Sequence, residues 1–403
     1  MNQSVCILGR QPSLGMAELE SLLGPDVLHP IAHGAVLVDV DARDIPMQRL
    51  GGTVKIAKLL TTLPYTDWDK IAAYLEETLL QHLQYFPEGK IRLGLSVHGL
   101  PVSVKRINTT GLSLKKVIKN AGRSVRVVPN SAPDLNSAQI LHNQLTGPTG
   151  LEVVIVRDGN RTVLAQTIAV QDIEAYAARD QNRPKRDARV GMLPPKLAQI
   201  IINLAGSHVK PYEPKTALPG KSQLARVLDP FCGTGVLLQE GLLMGYDVYG
   251  TDLEPRMIEY SQVNLEWLKE KYTTAGNFTL EVGDATHHSW QPPVDIIACE
   301  TYLGRPFTGI PRPSVLEEVV RDVDTIHRKF LKNVAKQTES GFRMTIAVPA
   351  WKLQKGFKHL PILDSLEELG YTRASFVHAD TRELIYHRPD QIVARELVTL
   401  IRK

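Results

Sequence analysis

At 403 residues, with 43% apolar and 22% charged side chains, the chain has the composition of a soluble globular protein and a length that calls for two or three domains. No apolar run approaches a bilayer span, and Arg10 and Pro12 interrupt the start before a signal core forms, so a cytoplasmic protein with no membrane association is expected. Cys6, Cys232 and Cys299 are too widely spaced for a disulfide framework or a metal pair, and the mild net charge of +4 hides one basic tract: nine Lys or Arg and no acid between Gly89 and Pro133.

The predicted elements open with a strand, VCILG, and a helix from about Ser13 whose Leu14, Leu19, Leu22 and Leu23 fall near one face; Gly24-Pro25 ends it. The run GAVLVDV and the periodic stretch WDKIAAYLEETLLQHL complete a small α+β domain over residues 1–85. A second α+β domain is expected over residues 86–170. It holds the strand KIRLGLSVHG, the basic helix SLKKVIKNAG, and two further strands joined by a turn at Asp158-Gly159-Asn160. On that helix Lys115, Lys116 and Lys119 are expected on one side, with Leu112 and Val117 roughly opposite. A lysine-rich helix is usually a solvated face. Here unpaired cations repel one another unless a polyanion offsets them, which points Lys105, Arg106, Lys115, Lys116, Lys119, Arg123 and Arg126 toward phosphates.

Residues 171–205 read as a charged linker and a helix started by Pro194-Pro195, with Leu197, Ile200, Ile201 and Leu204 on one stripe. A Pro-, Lys- and Gly-rich loop (KPYEPKTALPGKSQ) leads into the last domain, residues 206–403. Its opening, ARVLDPFCGTGVLLQEGLLMGYDVYGTDLEP, is a βαβ unit: a strand ending in Asp229, a turn Cys232-Gly233-Thr234-Gly235, a helix, and a strand ending in Asp252. Ligands of such sheets bind beyond the strands' carboxyl ends, where glycines admit them to the backbone.

No Lys follows Gly235, so a P-loop is excluded, and Leu238 stands where a dinucleotide fingerprint has its third Gly. Asp229 suits a cation, such as the α-ammonium and sulfonium of S-adenosylmethionine, better than a pyrophosphate. Asp252, seventeen residues after Gly235, is placed to accept ribose hydroxyls, and Asp284-Ala285, after FTLEVG, to contact adenine. Phe231, Thr234 and Leu253 complete the expected cofactor site. The duller alternative is that Asp229 caps the turn at Pro230 and Asp252 caps the helix starting at Glu254-Pro255.

DPFCGTG, together with Arg183-Pro184-Lys185-Arg186-Asp187 and GMLPPKLAQIIINLA, resembles the THUMP-domain tRNA guanine-N2-methyltransferases of archaea and eukaryotes and their bacterial relatives. The opening ILGRQPSLGMAELESLLG resembles that family's ferredoxin-like amino-terminal domain, the basic region to about Ile168 its THUMP module, and LIYHRPDQIVARELVTL its last strands. The resemblance implies an α/β chain with a Rossmann-like catalytic domain, S-adenosylmethionine as cofactor, tRNA as partner, and methylation of the exocyclic amine of a guanosine of the position-10 type. It leaves open whether a partner subunit is needed.

An aromatic amine is a poor nucleophile, so its N–H groups need an acceptor and the flipped base needs a ring to stack on. The family places Asp-Pro-Pro-Tyr after its fourth strand. This chain has Cys299-Glu300-Thr301-Tyr302 there, making Glu300 and Tyr302 the expected catalytic residues. Cys299 invites a covalent reading, set aside because a Cys at a strand end is more often packing. His287-His288 has no evident partner for a metal, and Trp351 is expected to pack rather than stack a base. Two rival readings stand: a tRNA-binding protein whose methyltransferase domain has decayed, and a nicotinamide enzyme built on the same βαβ unit.

Overall fold

The computed structural model describes residues 3–32, 34–187, 192–206, 224–307 and 309–403, and these form two compact units. The loop read over residues 210–223 lies outside them. The first unit comprises residues 1–12 and 23–175, the second residues 13–22 and 176–403.

Among the described residues the first unit holds one eight-stranded sheet. Its strands are β1 (Ser4–Leu8), β2 (Leu28–Ala32), β3 (Ala35–Val38), β4 (Thr53–Leu63), β5 (Ile91–His98), β6 (Val125–Val127), β7 (Gly150–Asp158) and β8 (Arg161–Val170), in the order β2-β3-β1-β4-β8-β7-β5-β6. The expected boundary at residue 85 falls within this sheet, because β4 pairs antiparallel with β8 along its length. Asp158 pairs with Arg161, so Gly159-Asn160 is a two-residue hairpin turn, with Gly159 at φ +58°.

Helix α1 (Pro12–Leu23) follows β1 in the chain, yet residues 13–22 belong to the second unit. Two buried carboxylates hold it there. Glu18 accepts from Asn203 Nδ2 at 2.8 Å, and Glu20 accepts the N–H groups of Val377 and His378 at 2.7 and 2.9 Å.

On the first unit's sheet pack helices α2 (Trp68–His82) and α3 (Val104–Asn120), each started by a side-chain cap, Asp67 and Ser103. Helix α3 buries Ile107, Gly111, Leu114 and Ile118, which recur at helical spacing. That register corrects one expectation. Leu112 is 62% exposed and shares the outer stripe with Lys105, Thr109, Lys116 and Lys119, since it stands seven residues from Lys105 and Lys119 and four from Lys116. Lys115 and Val117 are half-buried at the flanks. Helix α4 (Ser137–His142) opens with a capping box between Asn136 and Gln139.

The second unit alternates helix and strand: α5 (Ile173–Gln181), α6 (Pro195–Ala205), β9 (Arg226–Asp229), α7 (Val236–Leu243), β10 (Asp247–Asp252), α8 (Pro255–Lys271), β11 (Phe278–Val282), β12 (Ile296–Glu300) and α9 (Pro313–Ala335). The chain goes on through β13 (Arg343–Lys352), β14 (Phe357–Lys358), β15 (Tyr371–Arg373), β16 (Ile385–Tyr386) and β17 (Val393–Arg402), whose pairings with one another are antiparallel. The sheet runs β11-β10-β9-β12-β13-β17-β15, parallel from β11 to β13. Strands β9, β10, β12 and β13 are nearly all buried, as helices on both faces require, while the edge strand β11 is not. Trp351 is fully buried in this core. No helix of the described residues is long and apolar enough to cross a membrane.

Candidate active site

The chain runs outward from β9 to β10 and β11, then returns to the other side of β9 as β12. Strand order therefore reverses between β9 and β12, and the crevice beyond their carboxyl ends is where an open α/β sheet takes a ligand. Asp229, Asp252 and Glu300 are the last residues of β9, β10 and β12.

The turn Cys232–Gly235 depends on its glycines. Gly233 and Gly235 have φ of +52° and +81°, and a Cβ on Gly235 would come within 2.9 Å of Ser261 Oγ, whereas one on Gly233 would meet open space. Helix α8 clamps the turn from behind. Ser261 donates to Gly233 O at 2.8 Å, and Asn264 donates to Thr234 O at 2.8 Å and to Lys185 O at 2.9 Å while accepting the Lys185 N–H. Sequence reading missed Ser261 and Asn264. Their signal was two polar residues one helical turn apart on the buried face of α8, and both are fully buried. The same bonds tie Lys185, in the Arg183–Asp187 motif, to the Gly-rich turn.

Asp229 is 3% exposed, and Oδ1 accepts the Phe231 N–H at 3.0 Å. Oδ2 takes no hydrogen bond among the described residues. Burial pushes this carboxyl well above the usual range, the Phe231 N–H opposes, and the charges of Asp252 and Glu300 push it further up. Asp252 is held toward the turn: Oδ2 accepts the Gly233 N–H at 2.9 Å and Oδ1 the Glu254 N–H at 3.0 Å. Its carboxyl is raised by burial, partly offset by those two donors. Asp284, just past β11, accepts the Thr286 N–H at 2.8 Å. Ala285 belongs to the core. Phe231 packs edge-on against Phe330 at 5.0 Å, while Leu253, just past β10, and Val282, ending β11, are 63% and 51% exposed.

Glu300 accepts a hydrogen bond from Arg395 Nε, on β17. The next residue is locked: the Thr301 N–H donates to Ala347 O at 3.0 Å, and its hydroxyl lies 2.9 Å from that oxygen and 2.6 Å from His327 Nε2 on α9. Burial lowers His327 to about 4, so the ring is neutral. Tyr302 is 46% exposed, and Gly304, at φ +81°, turns the chain where a Cβ would press on Val319 and Val323 at 3.1 Å. Cys299 is fully buried and its thiol is pushed well above its ordinary value by burial, which leaves no thiolate for covalent attack. His288 bonds Glu281 at 3.2 Å, and no group of three or more metal-binding side chains occurs among the described residues.

In the first unit, the residues expected to meet phosphates separate into two groups. Lys105, Lys116 and Lys119 lie along the exposed stripe of α3 and Arg126 is exposed on β6. Arg106 pairs with Asp69 at 2.5 Å, and Arg123 donates to the carbonyls of Leu83, Phe86 and Pro87, so their charges are engaged within the protein.

The crevice, its glycine turn and its ring of strand-end acids define the second unit as a Rossmann-like methyltransferase domain, and the family model described as a methyltransferase domain matches residues 221–386. The tRNA (guanine(10)-N2)-dimethyltransferase of Methanothermobacter thermautotrophicus is 30% identical over 202 residues, 50% of this chain and 51% of that protein. The protein of the same name from Pyrococcus abyssi is 29% identical over 161 residues, 39% of each chain. The chain thus spans about half or less of the length of the curated relatives it matches. Among solved structures, TrmN from Thermus thermophilus shares the fold at a TM-score of 0.51 and 17% identity, over 100% of this chain and 99% of that one. A possible methylase from Clostridium difficile 630 gives 0.50 and 11%, over 98% and 97%.

Proposed function

We propose that this protein is an S-adenosylmethionine-dependent tRNA methyltransferase that methylates the exocyclic N2 amine of a guanosine of the position-10 type, in the cytoplasm. The observation that carries the reading is Asp229: a buried carboxyl near two other acids, with Oδ2 free of hydrogen bonds among the described residues, at the switch point of the sheet. Asp229 and Asp252 place two acids together with no cationic side chain bonded to either among the described residues, which suits a cationic ligand.

Asp229 would hold the ligand's ammonium and Asp252 its ribose, with Gly233, Thr234 and Gly235 giving the backbone approach. Phe231, Leu253 and the Asp284-Ala285 turn would border the adenine. S-adenosylmethionine, when bound, supplies an electrophilic methyl group. Glu300 accepts an N–H of the substrate amine, which frees the nitrogen lone pair for in-line attack, and takes the proton that the methylated nitrogen sheds. Tyr302 offers an exposed ring for the flipped base. Lys105, Lys116, Lys119 and Arg126 would bind tRNA phosphates, with Lys115 at the edge of that stripe. The names of the relatives from Methanothermobacter and Pyrococcus support tRNA as substrate and the guanine amine as target.

Incubation with radiolabelled S-adenosylmethionine and unmodified tRNA, followed by digestion, tests this. Label is expected in N2-methylguanosine and absent with Glu300→Ala. Label in another nucleoside overturns the choice of base. No label despite binding of cofactor and tRNA overturns the enzymatic reading in favour of a tRNA-binding protein.

A further inference from the structure

Glu300 and Arg395 are brought together by strand register. Glu300 on β12 faces Ala347 on β13, and Arg395 on β17 faces Pro349, two residues along β13 and so on the same face of the sheet. Two strand spacings, about 9.5 Å, separate β12 from β17. A long side chain bridges them over the small Ala347, which is fully buried. The Arg395 side chain is 7% exposed and Glu300's 15%, so both charges are largely desolvated. The neighbouring Glu396 faces the other way, to Arg373 and His359 at 3.0 and 2.5 Å, and does not compete for Arg395.

We propose that Arg395 is a positioning residue: its guanidinium fixes one oxygen of Glu300 and holds the side chain as a carboxylate, so that the other oxygen is presented to the substrate amine. This rests on the methyltransferase reading above. Glu300 Oε1 is the atom bonded, while Oε2 has no partner among the described residues and keeps contact with solvent. Without Arg395 no other charge among the described residues would oppose the effect of burial on Glu300. Burial raises Glu300 and Arg395 opposes it; Glu300 in turn raises Asp229 on β9, and Cys299 on its own strand is an un-ionised thiol. A protonated Glu300 could neither accept both from the amine and from Arg395 nor take the final proton.

The experiment pairs a spectroscopic readout with a kinetic one. Infrared difference spectra against Glu300→Gln report the ionisation of Glu300 directly, in the wild-type chain and in Arg395→Gln and Arg395→Lys. The inference expects a carboxylate at neutral pH in the wild type, a protonated carboxyl in Arg395→Gln, and an intermediate titration in Arg395→Lys. In methyl transfer, the acidic limb of kcat in Arg395→Gln should move up by about 1–3 pH units, with activity recovering at higher pH and KM for the cofactor unchanged. A merely structural role would lower the rate equally at every pH. If Arg395→Gln does not fold, the titration of Glu300 in Arg395→Lys decides alone. A Glu300 that titrates identically without Arg395 overturns the inference. A wild-type chain that transfers no methyl while Glu300 follows Arg395 overturns the catalytic reading and leaves the pairing standing.

Discussion

Buried carboxylates in the two sheets are finished in two ways, closed by protein partners, as Glu396 also is in the second unit, or left open. In the first unit, Glu152 of β7 is fully buried with both oxygens engaged: Oε1 takes Lys55 Nζ at 2.7 Å and Ser96 Oγ at 2.5 Å, and Oε2 takes Thr167 Oγ1 at 2.5 Å. Lys55, Ser96, Glu152 and Thr167 come from four adjacent strands, β4, β5, β7 and β8, so the network is closed and pins their alignment. In the second unit Asp229 and Glu300 each keep an oxygen that takes no hydrogen bond among the described residues. A closed buried network specifies structure, and an open one leaves its remaining valence for a ligand.

The sharpest break in this comparison is at Glu152. Glu152→Ala strands Lys55, itself 1% exposed, as an unpaired buried charge, and should lower unfolding stability by about 3–5 kcal/mol. Denaturant melts would show it, and tRNA and cofactor affinities of the remaining folded protein should be unchanged. A loss under 1 kcal/mol would mean that water reaches the network.

Asp229→Asn should do the reverse. Cofactor affinity should fall about 100-fold by titration calorimetry, since the ammonium loses a charge-assisted partner, while the unliganded fold is no less stable. The sign follows from linkage. Asp229, Asp252 and Glu300 all lie above their unfolded values, so the folded chain binds more protons than the unfolded one between those values. Stability of the unliganded protein therefore declines as pH rises from about 4 through the raised range, less steeply in Asp229→Asn. Saturating cofactor should flatten the wild-type curve.

Thr301→Val tests the lock behind Glu300. Losing the hydroxyl leaves His327 Nε2 without its partner in a buried place and should cost about 1–3 kcal/mol of stability. It should also lower kcat more than cofactor affinity, because β12 ends next to the freed segment. A stability loss with kcat intact would assign the lock to the fold alone.

The positions of the candidate residues were legible where apolar runs and glycines mark strand ends: Asp229, the Cys232–Gly235 turn and Asp252 stand where the βαβ pattern put them, and Glu300 ends the later strand at which the family resemblance placed it. What was not legible depends on distant strands. Arg395 lies 95 residues from Glu300, and nothing local to LIYHRPDQIVARELVTL shows that β17 would settle two strands away. The placement of α1 in the second unit is hidden for the same reason, since Glu18 and Glu20 look like surface acids until Asn203 and the 377–378 backbone arrive. On α3, heptad spacing was enough to place Leu112 among the lysines, and assigning it to the opposite side was an error of periodicity rather than of missing information.

That stripe gives the smallest effect and the plainest contrast with the acids. Lys105, Lys116 and Lys119 are exposed and form no ion pair among the described residues, so replacing one costs the fold almost nothing. If they meet phosphates, Lys116→Gln and Lys119→Gln should each reduce the slope of log affinity against log salt by about 0.7–0.9, whatever the tRNA sequence, as filter binding across a salt series would read. Arg123→Gln, whose guanidinium is held by three backbone carbonyls, should instead leave the slope unchanged and lower stability by about 1–3 kcal/mol. An unchanged slope for both lysines would remove α3 from the tRNA-binding surface and leave the basic tract a solvated face. The open acids of the second unit would stand unaffected, because their claim to a ligand rests on burial, and that of the lysines only on charge.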